Sequence, residues 1–323
     1  MKYIQRIKDS NGINLLNEIN QDEFIFLIGN GINRYLYNKC YEDIEGSFGN
    51  GFSFEWSALI KKISMKVFKD GSPFINLSNN NLPENTLLLQ LESTIFGNFK
   101  KELKLEISNW HQKLDTLFYE NKLEIMLYLQ KNSYTILTTN FDHFLHRENF
   151  ILQNLSDSSG KKGGHYPWNT FFASQNTTNN PNVFRIFHIH GEYKNVNGIK
   201  WGMNDYVNSV SHARAILQKY RFYDTPSQIK TDTWLDDFFN KKIVMIGLGF
   251  SQSEVFLRWL LLQRMKYRQR IFGRGDENSI IRIITQNEYS NSYLKELREL
   301  NFYGIIDLLI VEDFEALYEE IWK

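Results

Sequence analysis

The sequence predicts an α/β protein with a doubly wound, mainly parallel Rossmann-like sheet. Two observations carry this prediction. Short runs rich in Ile, Val, Leu and Phe recur along the 323 residues, and segments with helical spacing separate them. Near-continuous apolar runs are typical of strands buried on both faces, as in a parallel sheet. Alternation of such strands with helices favours a doubly wound arrangement.

Six runs are predicted to be strands, because each is apolar or β-branched and is bounded by turn or helix signals. They are FIFLIG (24–29), YTILTTN (134–140), VFRIFHIHG (183–191), KIVMIGLG (242–249), IIRIITQ (280–286) and IIDLLIV (305–311).

Helical patterns fill most of the intervals between these strands. One apolar stripe at helical spacing is formed by Trp56, Leu59, Ile60, Ile63 and Val67. Three further helical patterns are NKLEIMLYLQKN before the second strand, SEVFLRWLLLQRMKYRQR after the fourth, and DFEALYEEIW after the sixth.

Two segments interrupt the alternation. Residues 52–130 are too long for one crossover, so we expect a helical insertion subdomain between the first two strands, within a single domain that spans 1–323. Residues 154–181 are rich in Ser, Asn, Gly and Thr and predict a long loop.

Charge and cysteine content narrow the classes of function. Lys and Arg together number 37, as do Asp and Glu, so the zero net charge argues against an extended nucleic-acid interface. The run 264–274 is locally basic, which is more typical of a solvated helix face. Cys40 is the only cysteine, which excludes an intramolecular disulfide and a four-thiolate zinc site. Without an apolar run near the length of about 20 residues that spans a bilayer, we expect no membrane association and a cytoplasmic protein.

Polar and small residues follow the predicted strands, where open parallel sheets bind ligands. In chain order these are Gly29-Asn30-Gly31 with Asn33, then Thr139-Asn140 with Asp142, then His188 and His190, then Gly249 and Ser251, and finally Thr285 to Asn287. Each junction also has a structural explanation, such as a tight turn, a helix N-cap or a core histidine. The third glycine of a dinucleotide fingerprint is replaced by Arg34.

The order of these junctions resembles the sirtuin superfamily, over the sequence from about Phe24 onward. Thr-Asn-Phe-Asp and His-Gly are the most specific parts. FSFEWSALI and GMNDYVNS are similar to segments of a variant branch found in bacterial NAD-consuming defence proteins. Sirtuin deacylases carry a zinc ribbon of four cysteines, which one cysteine cannot supply. Asn30 and Asn33 stand where the family has Ala and Ser or Thr.

The resemblance implies an NAD+ glycohydrolase that cleaves the nicotinamide–ribose bond, with NAD+ as substrate and no metal. Asn140 and His190 would be catalytic, with His190 titrating near neutral pH beside the ribose hydroxyls. Asp142 would bind the nicotinamide amide, and Thr139 would also contact NAD+. Gly29, Asn30, Gly31 and Asn33 would hold the diphosphate, and Gly249 and Ser251 the adenosine side.

The resemblance also implies a regulated, NAD-depleting effector of bacterial anti-phage defence that works by abortive infection. The aromatic content of 15% suits an extensive subunit interface, so we expect a homo-oligomer, with a separately encoded activator or sensor as a possible further partner. Two alternatives stay open: a non-catalytic module that senses NAD or ADP-ribose, and a dehydrogenase on the same kind of sheet. His188 is expected to be structural. His143 and His146 are three residues apart on a predicted helix, which is a weak metal-binding pattern without a third clear ligand.

Overall fold

The computed structural model describes residues 4–6, 22–40, 54–67, 98–120, 122–146, 150–155, 166–174, 183–220, 231–249, 254–273, 280–290 and 306–323. The strands are β1 (Ile4–Arg6), β2 (Phe24–Ile28), β3 (Thr135–Thr138), β4 (Phe150–Asn154), β5 (Thr170–Ser174), β6 (Arg185–His188), β7 (Lys242–Ile246), β8 (Ile280–Thr285) and β9 (Asp307–Val311). The helices are α1 (Gly31–Cys40), α2 (Trp56–Val67), α3 (Asn98–Glu120), α4 (Glu124–Lys131), α5 (Met203–Lys219), α6 (Trp234–Asn240), α7 (Val255–Phe272), α8 (Gln286–Ser290) and α9 (Phe314–Tyr318), with 3-10 turns at Val196–Gly198 and Glu320–Trp322.

One mixed sheet organises these elements, in the order β1-β9-β8-β7-β2-β3-β6-β5-β4. Eight strands form its body, and the three-residue β1 adds to one edge. All pairings are parallel except β4 with β5 and β5 with β6, which are antiparallel. The protein is therefore an α/β protein with a mostly parallel sheet, as the apolar runs predict.

All six predicted strands are present, as β2, β3, β6, β7, β8 and β9, but the sequence did not predict β1, β4 and β5. The expected loop at 154–181 is wrong where β5 forms. This strand pairs in antiparallel register with β4, for example Phe172 with Leu152. Strand β5 forms by pairing with residues elsewhere in the chain. The residues around this five-residue strand are polar, so the local composition does not indicate a strand.

Helices α2, α3 and α4 occupy the described part of the expected insertion between β2 and β3. The apolar stripe of α2 is confirmed, because Leu59, Ile60 and Ile63 are fully buried. Trp56 packs against Trp110 of α3 with ring centroids 5.3 Å apart. No helix in the described ranges is both long enough and apolar enough to cross a membrane.

Candidate active site

Backbone register brings the ends of four neighbouring parallel strands to one edge of the sheet. Ile28 of β2 pairs with both Ile246 of β7 and Thr138 of β3, and Thr138 pairs with His188 of β6. The residues that follow these positions therefore lie side by side. They include most of the residues expected to contact NAD+, and the order of the strands reverses between β2 and β7.

Asn140 is held rigidly just beyond β3. Its backbone amide donates to Thr138 Oγ1 at 3.1 Å, and Thr138 Oγ1 in turn donates to the Ile28 carbonyl at 2.9 Å. The Asn140 side-chain nitrogen donates to the Gly29 carbonyl at 3.3 Å. Asn140 is fully buried, yet its Oδ1 has no hydrogen-bond partner in the described part of the chain.

His190 lies two residues beyond β6 and is also buried. Its Nε2 makes no hydrogen bond to a described residue, and the nearest carboxylate oxygen, Glu254 Oε2, is 3.8 Å away. The imidazole ring lies 5.5 Å from the ring of Tyr206 and 6.3 Å from that of Phe256. Burial without a compensating hydrogen bond lowers the pKa of His190 to about 4. The expected titration near neutral pH is therefore wrong, and the ring is neutral at pH 7.

Gly191, the second residue of the His-Gly pair, is required by its backbone conformation and by a close contact. Its φ is +89°, a left-handed conformation that disfavours side chains. A β-carbon there would also lie 2.3 Å from the Gly198 carbonyl oxygen.

A chain of side-chain hydrogen bonds joins the loops after β2 and β3. Asn33 Nδ2 donates to Asn30 Oδ1 at 3.0 Å and to Asp142 Oδ2 at 2.7 Å. Asn30 Nδ2 donates to the Phe54 carbonyl at the start of the insertion. Asp142 Oδ1 accepts the Phe144 amide at 3.0 Å, so Asp142 also serves as a local cap. Burial raises the pKa of Asp142, although these two hydrogen bonds act in the opposite direction.

The first glycine turn is shaped by contact with the loop after β7. The amides of Gly29 and Gly31 donate to the carbonyls of Ile246 and Gly247 at 3.0 and 2.9 Å. A β-carbon on Gly31 would lie 2.6 Å from Gly247 Cα and 2.7 Å from the Tyr318 hydroxyl. The glycines are therefore required by close packing of two loops. The Arg34 amide donates to the Asn30 carbonyl at 3.2 Å, so in the first turn of α1 the amides of Ile32 and Asn33 are left without an intrahelical acceptor.

The other residues predicted to contact NAD+ lie at several separate places in the chain. Gly249 is exposed after β7, and Ser251 lies outside the described residues. Thr139 is buried and its amide donates to the end of β2 at 3.2 Å. Thr285 caps α8: its Oγ1 accepts the Glu288 amide at 3.2 Å, while Glu288 Oε2 accepts the Thr285 amide at 2.9 Å. This reciprocal pair is a capping box, which accounts for Thr285 structurally.

Sequence reasoning missed a cluster of histidines directly behind Asn140. His188 Nδ1 lies 2.8 Å from the Asn140 carbonyl oxygen, and its Nε2 lies 3.0 Å from His146 Nε2. His143 Nε2 lies 2.8 Å from Glu192 Oε2. The potential ligand atoms of His143, His146 and His188 are all within 4.8 Å of one another. The pair at 143 and 146 was visible in the sequence, but it lies in a turn and not in the predicted helix, and its third member is at the end of β6.

No known family model matches the chain, and a search of curated proteins found no match. The geometry at the strand ends is therefore the structural basis for a function of this protein.

Proposed function

We propose that this protein cleaves the nicotinamide–ribose bond of NAD+ with Asn140 and His190 as catalytic residues. One observation carries the proposal: Asn140 Oδ1 and His190 Nε2 are buried polar atoms without hydrogen-bond partners among the described residues. Leaving such an atom unpaired costs about 1–3 kcal/mol. Both follow adjacent parallel strands at the ligand-binding edge of the sheet. A bound polar substrate would supply the missing partners.

The strand order supports a dinucleotide ligand. Leaving the edge strand β1 aside, the strands β2, β3, β6, β7, β8 and β9 can be numbered one to six in chain order, and across the sheet they then lie in the order six, five, four, one, two, three. This is the order of a doubly wound Rossmann-like sheet, which binds dinucleotides where the order reverses. Here the reversal lies between β2 and β7.

At that reversal, the proposal places the diphosphate beside Gly29, Asn30 and Gly31. Helix α1 begins at Gly31 and has no acidic residue in its first turn. The amide end of a helix stabilises an anion, so this start favours phosphate. Asn33 would orient the loop through Asp142, and Gly249 with Ser251 would lie toward the adenosine side.

The chemistry needs groups that position the reactants and no acid for the leaving group. When the bond from ribose C1′ to the pyridinium nitrogen breaks, the electron pair stays on nitrogen and nicotinamide leaves neutral. Water then forms the new bond to C1′ and releases a proton to solvent. The transition state resembles an oxocarbenium ion, by analogy with glycoside cleavage.

Asn140 and His190 suit the two positions this reaction requires. The Asn140 carboxamide has a free acceptor oxygen that can orient a ribose hydroxyl or the attacking water without adding charge. The neutral His190 ring offers Nε2 as acceptor for a second ribose hydroxyl. Asp142, already bonded to Asn33 and Phe144, would accept a further bond from the nicotinamide amide.

The test is to incubate purified protein with NAD+ and to separate the products by chromatography, with Asn140→Ala and His190→Ala in parallel. We expect nicotinamide and ADP-ribose from the wild type, and at least about 10²-fold less from each variant. Equal turnover by both folded variants would refute the assignment. Tight binding of NAD+ or ADP-ribose without cleavage would instead support the non-catalytic sensor.

The proposed biological role is a regulated effector of bacterial anti-phage defence. Unrestrained loss of NAD+ would kill the cell, so an NAD-cleaving enzyme needs a resting state. We therefore propose a homo-oligomer and a separately encoded activator. Size-exclusion chromatography with light scattering tests the first part, and a lone monomer would reject it.

A further inference from the structure

We propose that His143, His146 and His188 form a binding site for a divalent metal ion of the Zn²⁺ class, directly behind Asn140. The three imidazoles are buried and come from two separate parts of the chain. Their potential ligand atoms lie within 4.8 Å of one another. In a tetrahedral zinc site, nitrogen ligands at about 2.0–2.1 Å from the metal are about 3.3 Å apart. Small side-chain rotations would bring the three nitrogens to that spacing.

Outer hydrogen bonds already fix two of the rings as metal ligands require. The Asn140 carbonyl can only accept, so His188 donates from Nδ1 and presents the lone pair of Nε2. Glu192 Oε2 accepts from His143 Nε2, which presents His143 Nδ1. Metal-binding histidines almost always donate their second ring nitrogen to a carbonyl or a carboxylate in this way.

The third ring has one contact that a metal would replace. His146 Nε2 and His188 Nε2 face each other at 3.0 Å, so one proton is shared between two nitrogens. Because His188 presents a lone pair, that proton belongs to His146 and must move to its Nδ1 before both Nε2 atoms can bind one ion. The ring of His146 is held flat against Phe172, with centroids 3.9 Å apart, and keeps its place in either state.

A carboxyl group lies beside the three imidazoles, where Glu192 Oε2 accepts from His143 Nε2 at 2.8 Å. Burial alone would raise the pKa of Glu192, but the interactions with His143, the Lys194 amide and His188 together outweigh it and the net shift is downward. A carboxylate at this position would offset part of the charge of a buried dication.

The consequence of the site is structural. A metal bound to His188 would fix the imidazole that donates to the Asn140 carbonyl, and so would hold the loop that carries the Asn140 side chain. Three protein ligands leave the fourth tetrahedral position to water. The proposal does not depend on NAD+ cleavage, since binding of the ion is measured directly.

The first test uses untagged protein expressed with Zn²⁺, Mn²⁺, Fe²⁺, Co²⁺ and Ni²⁺ in the medium, followed by elemental analysis. We expect about one Zn²⁺ per chain. Protein stripped by chelator should gain about 5 °C in its unfolding midpoint when free Zn²⁺ reaches about 100 times the dissociation constant. Co²⁺ in the stripped site should give the visible absorption of a four-coordinate ion.

Matched variants separate this site from adventitious binding. Glu192→Gln keeps an acceptor oxygen but removes the charge, and should weaken Zn²⁺ binding by about 10–100-fold. His146→Gln removes a ligand and should weaken it more. His212→Gln changes a partly buried histidine outside the cluster and should have no effect. Wild-type protein without metal, or Zn²⁺ binding unchanged in Glu192→Gln, would overturn the proposal and leave a hydrogen-bonded histidine cluster. Glu192→Gln decides the matter even if His146→Gln does not fold.

Discussion

The two halves of the strand-end edge are built in opposite ways. On the β2–β7 side, two loops close on each other through backbone: the amides of Gly29 and Gly31 are bonded, and Gly31 touches Gly247. On the β3–β6 side, Asn140 and His190 are buried with polar atoms left unpaired in the described structure. The first half is closed by paired backbone groups, with Asn33 Oδ1 and the Tyr318 hydroxyl left unpaired beside them, whereas in the second half the unpaired atoms belong to Asn140 and His190.

This difference shows which sequence motif carries functional information. A glycine turn after a first strand is explained here by packing, whether or not a phosphate lies across it. An unpaired buried acceptor has no such explanation, because it makes the folded state less stable by about 1–3 kcal/mol. Groups of this kind persist at sites where binding or catalysis uses them. The functional inference therefore depends mainly on β3 and β6.

The largest expected effect on stability comes from a substitution in the contact between the loops after β2 and β7. Gly247→Ala should lower the free energy of unfolding by at least about 3 kcal/mol, combining left-handed strain with overpacking. Gly247 has φ +65°, and its new β-carbon would lie 2.8 Å from the Tyr318 hydroxyl. Gly273→Ala is the control, since Gly273 has φ +81° with nothing within 4 Å. If the two variants unfold at the same denaturant concentration, the contact between the loops is unimportant for stability.

At the ends of β3 and β6, a substitution that removes an unpaired polar atom should instead leave stability unchanged or raise it. His190→Leu removes the unpaired Nε2 and keeps an apolar group against Tyr206 and Phe256, so the melting temperature should stay level or rise. NAD+ turnover should fall by at least about 10²-fold. Thermal melts and a nicotinamide-release assay on the same preparation check both parts. A clear loss of stability would mean that His190 serves packing.

Thr138→Val tests a residue that positions Asn140. The Thr138 hydroxyl links the Asn140 amide to the Ile28 carbonyl, both in buried surroundings. Removing it should destabilise the protein by about 1–3 kcal/mol. Turnover should fall through kcat while KM changes little, because the side chain that contacts substrate is retained. A change confined to KM would place Thr138 in the binding surface.

The smallest effect expected is in the pH profile. Because the pKa of His190 is lowered to about 4, its Nε2 remains an acceptor as pH falls through 6.5, the value of an ordinary histidine. Turnover should therefore be level from about pH 5.5 to 8 and should decline only nearer pH 4. The unfolded chain does bind a proton near pH 6.5, so stability should fall with acidification below that value. An inflection in the rate near pH 6.5 that is absent from His190→Leu would contradict the shift.

How far the sequence predicts this molecule depends on how local the signal is. The six parallel strands were predictable, because runs such as 243–246 are apolar throughout. The location of Asn140 and His190 at one edge of the sheet was predictable too, since the ends of parallel strands share an edge. The contact of Gly31 with Gly247 and that of His146 with His188 join residues far apart in the chain. No spacing rule encodes such contacts, and β5 was missed for the same reason.

The most direct test of the central claim compares Asn140, which follows β3, with Asn132, which precedes it. Asn140 has an unpaired buried oxygen after the strand, whereas Asn132 donates to the Tyr128 carbonyl at 2.8 Å at the opposite end. The measurement is the initial rate of nicotinamide release by Asn140→Ala and Asn132→Ala, corrected for the folded fraction of each. We predict that Asn140→Ala loses at least about 10²-fold and Asn132→Ala less than about twofold. Equal rates in the two variants, alongside an active wild type, would contradict the assignment of the site to the ends of β3 and β6.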